Sequence, residues 1–153
     1  MHKNSEIMSL IHENFWTIIS FMTAKPVIID IMNNNFQGEW KTLRNTIHDQ
    51  AEVKADRALL EMATQLRILD DVEGINDLFI AMDAPSLGTV NQSDGKNTEL
   101  YFRDMTNKII HAAQYHWNHE ERKITCQAKK HDKWIEAEID MVRLMYIVGK
   151  IST

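Results

Sequence analysis

The chain has 153 residues, 44% of them apolar and 25% charged, with a formal charge of −5. Length and composition suffice for one domain, residues 1–153, with a real core, and exclude a disordered tail. The excess of carboxylates disfavours a broad nucleic-acid surface, and the single cysteine, Cys126, rules out an internal disulfide and makes a reducing, cytoplasmic setting the expectation.

Residues 4 to 24 predict a helix, because Ile7, Leu10, Ile11, Phe15, Ile18, Ile19 and Met22 recur at three and four. Glu6, His12 and Glu13 interrupt this region as a signal-peptide core. Its longest apolar run, FWTIISFM, is far shorter than the roughly 18 residues of a membrane span, so no membrane association is expected. Lys25-Pro26 should stop the helix, since a residue before proline is pushed away from helical angles. The following PVIIDIMNNNF reads as strand or helix, and a proline at a helix start favours a short helix.

From Trp40 to Leu69 an apolar stripe runs through Leu43, Ile47, Ala51, Ala55, Ala58, Leu59, Met62 and Leu66 without Pro or Gly, predicting a long helix. Its end is marked by Asp70, Asp71, Glu73 and Gly74, although carboxylates are unfavourable at a helix C-terminus. Asp94-Gly95 is a hairpin signal between LGTV and TELYF. Residues 101 to 114 return to helical spacing. KITCQAKK and KWIEAEID then alternate as strands around the turn KKHDK, and MVRLMYIVGKI closes the chain as a helix. The expected fold is mainly α: four to five helices, with a small antiparallel sheet or hairpin inserted in the C-terminal half.

Four of the seven histidines, His111, His116, His119 and His131, lie between residues 107 and 131 beside Cys126. His116 and His119 would cooperate on a metal only if helical. Residues 115 to 123 read instead as the exit from a helix, Cys126 belongs to a strand and His131 to a turn, so no metal site and no cofactor are expected. Cys126 has no nucleophile signature around it. Arg44 and His48 lie four apart on one helical face beside the apolar stripe, as do Asn107 and His111, with Arg103 one turn further back. An imidazole able to move the proton of a 2′-hydroxyl, with an arginine to hold phosphate charge, is what metal-independent RNA cleavage uses. Trp117 and Trp134 are candidates to stack on a base or partner, with core packing as the commoner use of tryptophan.

NKIIH, residues 107–111, resembles the tail of the HEPN-domain signature, which reads Arg, four to six residues, then His, with Asn often following the Arg. The resemblance implies a dimeric helical domain, with ribonuclease activity in its active members, and would give His111 the proton-transfer role beside Asn107 and Arg103. Thr106 stands where the arginine belongs, and RNTIH at 44–48 has the Arg-Asn pair but one residue too few before His48. DRALLEMATQLRILDD, LYFRDMTNKIIHA and KWIEAEIDMVRLMYIVGKI resemble a group of small uncharacterised bacterial proteins, which implies a bacterial or mobile-element origin. The expectation is therefore a non-catalytic interaction or regulatory protein of a defence-type system, with a protein partner or self-association as a homodimer. RNA is disfavoured by the net charge. The alternative is a HEPN-type ribonuclease built on His111.

Overall fold

A computed structural model describes the backbone of residues 2–153 and the side chains from residue 5 onward. Two long antiparallel helices come first: α1 (His2–Asn35) and α2 (Lys41–Glu73). They are followed by α3 (Ile75–Ala81), β1 (Gly88–Gln92), β2 (Asn97–Leu100) and α4 (Phe102–His111). The chain ends with β3 (Gln114–Asn118), β4 (Lys123–Gln127), β5 (Trp134–Asp140) and α5 (Met141–Ile151). The fold is mainly α with a five-stranded antiparallel sheet in the C-terminal half, as the sequence predicts.

The expected helix stop at Lys25-Pro26 is corrected: α1 runs straight through Pro26. A proline inside a helix removes the N–H that would reach the carbonyl four residues back, here that of Met22. His119 replaces it, its Nδ1 lying 3.0 Å from the Met22 carbonyl oxygen. A carbonyl only accepts, so Nδ1 carries the proton. With this continuation α1 becomes, by length and composition, apolar enough to cross a membrane over Ser5–Asn35. In the fold it packs against α2, burying Ile11, Phe15, Ile18 and Met22.

α2 follows its predicted stripe and ends at Gly74, whose left-handed backbone (φ 67°) donates its N–H to the Asp70 carbonyl. The carboxylates at this end are explained by what comes next. Asp70 Oδ1 accepts the Asn76 backbone N–H at 2.6 Å, at the start of α3, and Oδ2 accepts from Arg103 on α4 at 2.5 Å. The misplaced charge of one helix thus serves two others.

The sheet order is β2-β1-β5-β4-β3, with α4 carrying the chain from one edge to the other. The β1–β2 hairpin turns at Gly95 as expected. Val90, Ala137 and Cys126 line up across neighbouring strands on the buried face, with Ile124 and Ile139 beside them. The other face is polar, carrying the Lys123–Glu138 ion pair at 3.0 Å. Such one-sided burial suits an antiparallel sheet. Residues 115–123, expected as a helix exit, instead hold most of edge strand β3 and its turn into β4, a second correction.

Candidate functional site

The predicted catalytic residues are divided between two uses. Arg103 Nη1 pairs with Asp70 at 2.5 Å and Asp71 at 3.3 Å, and its backbone N–H donates to Asn76 Oδ1. Hydrogen bonding to Asp70 holds the guanidinium firmly protonated, with its charge already matched by carboxylates. Asn107 Oδ1, one turn on, accepts from Arg67 of α2. Both side chains therefore join α4 to α2. His111 lies exposed in the last turn of α4.

Trp134 is in the core at 8% exposure, and the Lys108 ammonium sits over its ring at 4.8 Å. Cys126 is fully buried, and burial pushes its thiol up to about 12, which keeps it protonated and unreactive. His116 is exposed on β3 against Gln127, while His119 is held on α1. Among the described residues no group of three or more His, Cys, Asp and Glu is arranged to hold a metal ion.

The remaining candidates, Arg44, His48 and Trp117, come together elsewhere. Phe21 of α1 is the hub of an aromatic cluster. His48 stacks on it at 5.3 Å, and Trp117 and His119 meet it edge-on at 5.0 and 4.9 Å. The Trp117 indole N–H donates to Asp56 on α2 at 2.7 Å, fixing the edge of the sheet to the helical pair. Burial raises the Asp56 carboxyl, and this hydrogen bond partly offsets the rise. Burial, reinforced by the Lys25 ammonium, holds His48 below the usual histidine range despite Glu52 and Asp49, so the ring is neutral at pH 7.

Phe21 and His48 form part of the floor of a groove of about 650 Å³ between α1 and α2. Ile28, Ile29 and Met32 continue the apolar lining on α1, with Ile47 and Ala51 opposite on α2. Trp16, 69% exposed, stands at one end. Lys25, Arg44 and Lys54 also line the groove, and no carboxylate does. Sequence reasoning found Arg44 and His48 through their spacing. It missed Trp16, Lys25 and Lys54 because a helix broken at Pro26 has no groove to which they could belong. The signal was present in Ile28, Ile29 and Met32, which keep the helical period of Phe15, Ile18 and Met22 across the proline.

Compared with known proteins, the chain matches no family model, no curated protein and no solved structure.

Proposed function

We propose that this is a cytoplasmic, non-catalytic interaction protein, acting in the bacterial or mobile-element setting implied by the sequence resemblance, with the α1–α2 groove as its contact surface. The observation that carries the reading is the groove itself: a broad apolar floor with exposed walls, lined by Lys25, Arg44 and Lys54 beside the partly buried His48. Large exposed apolar surfaces on otherwise polar domains mark contact sites. The use of Arg103 and Asn107 as ties between α4 and α2 supports the same reading, because the arginine that a HEPN-type ribonuclease needs for phosphate is paired with Asp70 and Asp71.

The test is incubation of the purified protein with RNA in the absence of metal, with His111→Ala as the comparison. RNA that stays intact with both proteins is the expected result. Cleavage by the native chain that disappears in His111→Ala would overturn the reading and install the ribonuclease in its place.

A further inference from the structure

The groove has a direction. α1 lines it from Trp16 to Met32, about 24 Å at the helical rise, and α2 lines it from Arg44 to Lys54, about 15 Å. It is thus a trough between two antiparallel helices. On the α1 wall Thr17, Ser20 and Ala24 follow one another at three and four, so small side chains stand where an incoming backbone would come closest. A third helix laid in such a trough completes a layer that two helices leave half-built.

The charges narrow the occupant further. Lys25, Arg44 and Lys54 are spread along the trough, with Arg44 and Lys54 ten residues apart on α2. A single-headed amphiphile would satisfy one of these cations. A nucleic-acid backbone would answer the charge but leave Trp16, Ile28 and Ile47 uncovered. A helix with an apolar stripe flanked by several carboxylates matches both features at once.

We propose that the groove binds an acidic amphipathic helix of a partner protein, roughly 10 to 16 residues long, as the helical rise sets for a trough of this length. Its apolar face lies on Phe21, Ile28 and Ile47, and its Asp and Glu residues reach Lys25, Arg44 and Lys54. This deepens the interaction-protein reading and rests on it.

The experiment uses the full chain as bait for a displayed library of 16-residue peptides, with leucines fixed at helical spacing and all other positions randomised. Selected peptides should be richer in Asp and Glu than the input. The best of them should bind Lys25→Glu/Arg44→Glu/Lys54→Glu at least tenfold more weakly, and Ile47→Glu as weakly, with circular dichroism unchanged in both variants. Selection without acidic bias, or equal binding to the charge-reversed chain, would overturn the proposal. So would a dimer in sedimentation that Ile47→Glu dissociates, because a second copy would then fill the trough. RNA cleavage dependent on His111 would be a separate failure, striking the non-catalytic reading alone, since His111 lies on α4 and does not line the groove.

Discussion

His119 shows how a single residue can change the meaning of a segment. Within the sequence it looks like part of a histidine cluster, yet its Nδ1–H restores the hydrogen bond that Pro26 denies to the Met22 carbonyl, from 97 residues away. His119→Ala leaves that acceptor, on a buried residue, without its donor, and should cost about 1–3 kcal/mol in urea unfolding. In a Pro26→Ala background residue 26 regains its N–H, so the same substitution should cost distinctly less. Equal costs in the two backgrounds would break the link between histidine and proline. Gly88 carries a different constraint. A Cβ there would stand 1.8 Å from the Glu138 carbonyl oxygen, so β1 and β5 can pair at this point only without a side chain. Gly88→Ala should therefore destabilise the chain by about 3 kcal/mol, at the upper end of overpacking costs, because backbone and not a flexible side chain has to move. A denaturation midpoint unchanged from the native chain would mean that the strands separate freely here.

At the scale of elements, what was legible followed from length and from whether partners were local. The stripe from Trp40 to Leu69 is long and uninterrupted, so α2 was plain, and the Asp94-Gly95 turn gave the β1–β2 hairpin directly. The sequence predicts a stop at Pro26, where α1 in fact continues, because the proline rule is local and its remedy is not. β3 was hidden because it is a five-residue edge strand with only Tyr115 and Trp117 half-buried, too little alternation to stand out. α3, at seven residues, is too short to show a period. The candidate site suffered most, since a groove between helices needs both walls. The contact between α1 and α2 also has a pH signature. His48 is held below its unfolded value, so the folded state resists protonating it. Burial disfavours the charged ring most, Lys25 and His119 add to this, and Glu52 and Asp49 oppose it. Stability from this ring is fully present above pH 6.5, the unfolded value, and is lost as pH falls from there through the folded value. Urea unfolding at pH 7.5 and 5.5 should show a larger loss for the native chain than for His48→Phe. A loss of the same size in both would remove His48 as its source.

The whole molecule is unevenly built, and the unevenness bears on function. Its body packs α2, α4 and α5 with the sheet around Leu59, Met62, Met105, Ile139 and Leu144. From Thr23 to Lys54, by contrast, Met32 is the one buried side chain. Apart from His48, whose ring lies 5.8 Å from that of His119, two helices here lie on each other with no third layer, leaving Val27, Ile31, Leu43 and Val53 exposed. Phe36 and Trp40, with ring centroids 5.3 Å apart, close the far end. Local stability follows local burial, so this arm should open at lower free energy than the body. Hydrogen exchange of the free protein should show amides between residues 27 and 48 exchanging well before those of β4, β5 and residues 58–69 of α2. An acidic helix selected for the groove should then slow exchange in the arm most, because it supplies the missing layer, and leave the sheet nearly unchanged. Uniform protection of arm and body in the free protein would mean that the arm already has the partner it needs. The exposed face between α1 and α2 would then be buried in solution, and the trough would be closed to any helix from outside.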